Sequence, residues 1–246
     1  MKWRSNVGGE TDITWLLEKQ AIPVVIRKKK SYLTYEGIPD RYVYILKKGI
    51  IKTSVVTHEG REFNLRYLTD FEIVSLFKDE SSQEVEAPFN VRVESEEAEL
   101  YKIVRDQFWA DVNRDRLLQD YVKEYYRRNL MDTMKKMQQM LMNGKFGAVC
   151  TQINELYETF GIQTTDGVLI DFEVTNEEIA RFCGITSASS VNRMMQKLRE
   201  SGALKSVDRK LLVTDIDFIR ENIIYWSKKR LCTPIGFRHT KSFSIK

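Results

Sequence analysis

Residues 175–204, TNEEIARFCGITSASSVNRMMQKLRESGAL, read as a short helix, a glycine turn and a second helix. Thr175 is placed to cap the first helix, and Glu178, three residues on, completes a capping box. Ile179 and Phe182 give that helix a buried side, and Gly184 permits the reversal. Val191, Met194, Met195 and Leu198 then recur at helical spacing until Gly202 stops the second helix. The continuation, LKSVDRKLLVTD over 204–215, has two extended runs about Asp208-Arg209-Lys210 and reads as a β-wing.

A helix that enters the major groove keeps one side in its own core and offers its early turns to the bases. Val191, Met194 and Leu198 can hold this one. Arg193 has the strongest chemical case for base reading, because its planar donor fork matches guanine O6 and N7 together. Ser189 can reach a base edge, and Thr186, Ser187 and Ser190 can contact phosphates or bases. Asn176, with nearby backbone donors at the start of the preceding helix, can orient a phosphate. Arg209 and Lys210 at the wing tip, and Lys197, suit phosphate contacts. The same charged residues also read as ordinary solvent-facing positions, and Ser187 and Ser190 as residues that satisfy the helix end.

Working outward, residues 12–20 suit a short amphipathic helix. From about 22 to 105, VVIRKK, YVYILKKG, IIKTSVVT, EFNLRYL, NVRVES and AELYKIV are short strands, with a hairpin turn at His58-Glu59-Gly60-Arg61. That many strands without long helices between them favour a sandwich or compact barrel. The pattern changes near Asp106, and a long helix is expected over about 114–142. It carries two apolar stripes, Leu118/Tyr121/Tyr125 and Leu130/Met134/Met137/Leu141, which are out of heptad phase with each other. Either can pack on a partner helix, and dimerisation is the expectation. Further helices are expected over 145–160 and 215–231, the latter with Ile219, Ile223 and Trp226 on one side, and VLIDFEV is an extended segment between them. Gly161 and the TTDG run ending at Gly167 mark turns. The expected division is 1–111 sensor domain, 112–143 long helix, and 144–246 DNA-binding domain with a helical extension.

Composition bounds the function class. The 246 residues are 42% hydrophobic and 30% charged, with a formal net charge of +4. Residues 205–246 hold ten Lys or Arg and four Asp or Glu, so the rest of the chain is mildly acidic, at −2. A basic end on an acidic body suits a nucleic-acid partner or a solvated basic tail. No apolar run approaches the roughly 18 residues of a membrane span, and MKWRSNVGGETD has no signal-peptide segment, so a cytoplasmic location is expected. Cys150, Cys183 and Cys232 form neither a disulfide framework nor a zinc pattern, and His58 and His239 are isolated. Without a nucleophile–base arrangement, metal spacing or phosphate loop, the chain does not read as an enzyme.

At this point the chain resembles the Crp/Fnr family of transcription regulators over about residues 20–230. VYILKKGIIKTSVVTHEGREFNLRYL is similar to the middle of the family's sensor roll, and residues 175–204 to its DNA-binding motif. Within the family, GKFGAVCTQINELYETFGIQTTDG, the longer turn in GITSASSVNRM and the tail WSKKRLCTPIGF look most like the PrfA-like members. The resemblance implies an α+β fold. It comprises an N-terminal β-roll of the cyclic-nucleotide-binding jelly-roll type, a long dimerisation helix and a C-terminal winged helix-turn-helix. It implies a homodimer that reads a palindromic operator in double-stranded DNA and recruits RNA polymerase as an activator. A ligand-dependent repressor and a non-DNA-binding sensor or scaffold are the alternatives. It also places Ser189 and Arg193 at principal base-reading positions and Asn176 at a backbone contact.

Departures from the family pattern bear on the effector. In LTDFEIVSLFKDESSQEVEAPFNVRVES no Gly-Glu pair precedes Arg92, and Val follows it, which argues against cyclic AMP. The N-terminal cysteine cluster of iron–sulfur sensors is absent, and two dispersed histidines do not suggest haem. PrfA-like members imply glutathione or a peptide between sensor and DNA-binding domains. Tyr67, Tyr126 and Met131 are of types that line such a pocket, whereas Asn64 brings no ammonium to a ligand carboxylate. All four read equally as core or helix-face residues, and no ligand set is assigned.

Overall fold

The computed structural model describes Ile13, Leu17 and residues 21–39, 41–69, 71–76 and 86–223. Most of the helix expected over 12–20, the end of the helix expected over 215–231 with Trp226, and the basic tail lie outside the described residues.

Among the described residues the N-terminal part contains eight strands: β1 (Val24–Lys28), β2 (Tyr32–Thr34), β3 (Tyr42–Lys48), β4 (Ile51–Val56), β5 (Glu62–Leu68), β6 (Glu72–Ile73), β7 (Asn90–Val93) and β8 (Glu97–Val104). They form two antiparallel four-stranded sheets, ordered β1-β8-β3-β6 and β2-β7-β4-β5. Alternation of side chains along each strand explains how the sheets stack. Leu46, Ala98 and Leu100 of the first sheet meet Ile51, Val91 and Val93 of the second in a shared core. The opposite face of the first sheet, with Val43, Ile45, Tyr101 and Ile103, is covered by helices and by Ile13 and Leu17. The opposite face of the second sheet carries Lys52, Ser54 and Arg92, alternating with those core residues, and the C-terminal part packs against it.

Helix α1 (Arg105–Arg114) continues from β8, and α2 (Arg116–Met142) follows after Asp115, whose carboxylate accepts from the Leu118 backbone at 3.0 Å as an N-cap. The two stripes of α2 have different fates. Leu118, Tyr121, Val122 and Tyr125 are buried against Phe108, Trp109 and the roll. Leu130, Met134, Met137 and Leu141 are exposed.

The C-terminal part contains α3 (Gly144–Phe160), β9 (Gly161–Thr164), β10 (Gly167–Ile170), α4 (Asn176–Phe182), α5 (Ala188–Glu200), β11 (Leu204–Val207), β12 (Lys210–Val213) and α6 (Ile216–Glu221). Its sheet runs β11-β12-β10-β9. Gly161 and Thr164, expected at turns, bound a strand, because Gly167–Ile170 pairs with Gly161–Thr164 through the full register Gly161↔Ile170 to Thr164↔Gly167. Val149, Ile153, Leu156, Ile179, Val191, Met195, Leu198, Leu211 and Ile219 meet in one core, which fixes the faces of α3 to α6. The result is a β-sheet domain, a long helix and a C-terminal winged helix-turn-helix. Among the described residues no helix is long and apolar enough to cross a membrane.

Candidate nucleic-acid interface

Helix α4 begins with the capping box expected from sequence. The Thr175 hydroxyl accepts from the Glu178 backbone at 3.1 Å, and the Glu178 carboxylate accepts from the Thr175 backbone at 3.3 Å. Gly184, at φ +64°, makes the turn, a backbone conformation that side chains resist. Helix α5 then enters the core through Val191, Met195 and Leu198, with Met194 half-buried beside them. That anchoring leaves Ser189, Asn192, Arg193 and Lys197 exposed on the outer face, with Thr186 exposed in the turn.

The sequence-predicted residues fall into three groups. Ser187, Ser189, Ser190 and Arg193 lie on the first two turns of α5 and its N-cap. Ser187 makes no side-chain cap, and its hydroxyl pairs with that of Ser189 at 2.5 Å. Asn176, at the start of α4, donates through its side-chain amide to the Asn192 side chain, so it joins the same face. Arg209 and Lys210 stand apart on the wing. Val207 pairs with Lys210, leaving Asp208 and Arg209 as a two-residue loop with φ of +46° and +65°. The loop projects Arg209 outward, whereas Lys210 is held back at 2.5 Å from Asp171, which raises its pKa through that hydrogen bond and the carboxylate charge.

Two residues escaped the sequence reading. Lys145 and Phe146, from the first turn of α3, line an open groove of about 380 Å³ together with Ser190, Arg193, Met194 and Lys197. The Lys197 ammonium lies 4.4 Å from the centre of the Phe146 ring, a cation–π contact that fixes its position beside Arg193. Nothing local in sequence could have joined α3 to α5, because the join is made by packing in the core of the C-terminal part, the head. The groove therefore gathers three cationic side chains, the chemistry of a phosphate-bearing strand.

The four residues considered for an effector pocket do not converge. Asn64 is buried and Tyr67 partly buried where β5 meets the C-terminal part, with the Tyr67 ring 4.9–5.6 Å from those of Phe160, Phe172 and Phe182. Burial pushes the Tyr67 phenol far up from its ordinary pKa. Tyr126 and Met131 are instead exposed on α2, and the Tyr126 hydroxyl donates to the Leu76 carbonyl at 2.5 Å. Among the described residues no cluster of His, Cys, Asp and Glu could hold a metal.

Residues 149–221 match the Crp-like helix-turn-helix domain. The chain is 45% identical over 216 residues to the lactate racemization regulatory protein of Lactiplantibacillus plantarum, covering 87% of this chain and 98% of that protein. Its fold is similar to that of FixK2 from Bradyrhizobium japonicum, with a TM-score of 0.71 and 14% identity over 84% of this chain and 99% of that one. The expected closest likeness to PrfA, the Listeria virulence regulator, is corrected. The listeriolysin regulatory protein of Listeria monocytogenes is only 26% identical over 194 residues, 78% of this chain and 81% of that protein. Much of what suggested it, residues 144–167, is α3 and the β9–β10 hairpin, whose apolar pattern is set by burial in the head's core.

Proposed function

The chain belongs to the Crp/Fnr family of sequence-specific DNA-binding transcription regulators, and on that premise we propose that it works as a homodimeric activator on a palindromic operator. The observation that carries the dimer is the split use of α2. Its first half is spent on its own roll, while Leu130 (62% exposed), Met134, Met137 and Leu141 (79% exposed) leave one apolar face uncovered. A second copy of the same helix covers that face symmetrically, as a two-fold interface requires.

Two heads related by such an axis present two recognition helices to half-sites one helical turn apart. Ser189 and Arg193 read bases. Asn176, Thr186, Ser187, Ser190, Lys197, Arg209 and Lys210 position the phosphates around them. The family premise motivates recruitment of RNA polymerase. The L. plantarum relative is named for lactate racemization, so promoters of such genes are the first duplexes to try.

Footprinting on those promoters tests the reading. Protection of two half-sites upstream of the polymerase site, with increased transcript in a purified system, supports an activator. Protection that overlaps the polymerase site and lowers transcript makes it a repressor. A monomer at the concentration where it binds DNA removes the dimer.

A further inference from the structure

The outer face of the second sheet is polar and yet buried. Lys52 on β4 is 0% exposed, and its ammonium makes no hydrogen bond among the described residues. It lies instead 3.5 Å from Glu62 on β5, 3.7 Å from Glu94 after β7, and 3.8 Å from Glu178 on α4 of the DNA-reading head. Arg181, one turn further along α4, donates to Glu62 at 2.7 Å and to Glu177 at 2.7 Å. Arg92 on β7 completes the layer, donating to Glu94 at 2.8 Å. Burial opposes the charge on Glu62, yet Lys52, the Ser54 hydroxyl and Arg181 hold its carboxyl below the usual range.

The sheet contributes Lys52, Arg92, Glu62 and Glu94, and α4 contributes Glu178 and Arg181 together with the exposed Glu177. The sheet side is neutral by itself and the α4 side carries −1, its extra carboxylate already in water, so parting them strands little net charge. A buried ion layer gains little over its separately hydrated halves, unlike an apolar seam of the same extent. The apolar part of the contact is narrow: Tyr67 among Phe160, Phe172 and Phe182, Ile50 against the C-terminal core, and Phe63 beside the Gly184 turn. Even there the Tyr67 hydroxyl and both ends of the Asn64 amide are buried polar atoms with no hydrogen-bond partner among the described residues.

We propose that Lys52, Arg92, Glu62, Glu94, Glu178 and Arg181 form a reversible electrostatic latch that docks the DNA-reading head on the sensor roll and holds it in its DNA-reading placement. Helix α4 is the lever. Glu178 and Arg181 grip the sheet, and Asn176 at its first residue bonds Asn192 on the recognition helix. Ser189, Asn192 and Arg193 remain exposed while the latch is closed, so closure does not obstruct the reading face. A signal that weakens the layer frees α4 and with it the orientation of α5.

The inference rests on DNA binding by the family, and the test separates the two. Glu62→Gln, Arg181→Gln and the double variant are made in the full chain; neither residue lies on the reading helix. Duplex affinity is measured by anisotropy, and backbone opening by hydrogen–deuterium exchange. Each single variant is expected to weaken binding roughly fivefold or more, and the double variant no more than the weaker single. Exchange is expected to rise in Glu62–Leu68 and Asn176–Phe182 while α3 and β8 keep their protection, which shows that both cores remain folded. Additive losses, unchanged or tighter binding, or unchanged exchange in those two segments would overturn the latch. Should the wild type bind no duplex, the exchange measurement decides the latch alone.

Discussion

Asn176, the first residue of the scaffold helix, donates a side-chain hydrogen bond to the side-chain oxygen of Asn192 in the second turn of the recognition helix. The bond clips the two helices together at the edge of the reading face and occupies the Asn192 acceptor. Asn176→Ala is therefore expected to weaken binding to every duplex by about 0.5–1.5 kcal/mol, the net worth of one hydrogen bond, without changing which sequence is preferred. Anisotropy titrations against matched and mismatched duplexes check this; a change in preference would show that Asn176 reads bases.

Arg193→Ala should behave differently. Arg193 is exposed on α5, and its fork is suited to a guanine edge. The variant is expected to lose about 1–3 kcal/mol on the preferred operator and to discriminate less at one base pair of each half-site. Affinity and preference both unchanged would falsify the assignment.

The wing supplies an asymmetric pair. Arg209→Ala should lower the salt slope of binding by about 1, the signature of one lost phosphate contact. Lys210→Ala should lower it less, because Asp171 already engages that ammonium. Asp171→Asn, which frees Lys210 and removes a negative charge near the duplex, should tighten binding. Titration across a salt series distinguishes the three, and weaker binding by Asp171→Asn would count against a DNA-facing wing.

Met137→Glu places a charge in the exposed stripe of α2, between Leu130 and Leu141. Sedimentation velocity is expected to show a shift from dimer to monomer, with circular dichroism unchanged because Met137 touches no core of its own chain. Tyr125→Glu, on the buried stripe, should instead unfold the roll. A dimer of unaltered stability in the Met137 variant would move the interface elsewhere.

Burial pushes the Cys150 thiol up to about 11 and that of Cys183 to about 12. Folding thus favours the neutral thiols. Their contribution to stability is complete below the ordinary thiol value of 9.0 and is lost as pH rises through the folded values. In a Cys183→Ser/Cys232→Ser background, the buried Cys150 should not react with a thiol reagent at pH 8 until the protein unfolds, and denaturant midpoints should fall between pH 9 and 11. Cys150→Ala should reduce that fall. Rapid labelling of the native protein at pH 8 would contradict it.

How much of this was legible in the chain depends on the range of the interactions involved. The capping box, the Gly184 turn, the two-residue wing loop and the apolar spacing of Val191, Met195 and Leu198 are local, so Thr175–Lys210 could be read almost completely. Strand β9 could not, since Gly161–Thr164 is extended only because β10 pairs with it. Nor could Lys145 and Phe146 be placed in the groove, because α3 reaches α5 through the head's core. Likewise the two stripes of α2 are indistinguishable in spacing, and the roll's position alone decides that Tyr121 is buried and Met137 exposed.

The sequence by itself determined the elements and their chemistry: a strand-rich body, a long helix, and a winged reading head with Arg193 at its face. Local propensity and periodicity suffice for that, because each depends on residues a few positions apart. Only the tertiary structure decided that Lys52, an ordinary strand lysine by pattern, is wholly buried among Glu62, Glu94 and Glu178. The three carboxylates converge on Lys52 only after the strands have paired and α4 has met the sheet, and a linear pattern does not carry that distance.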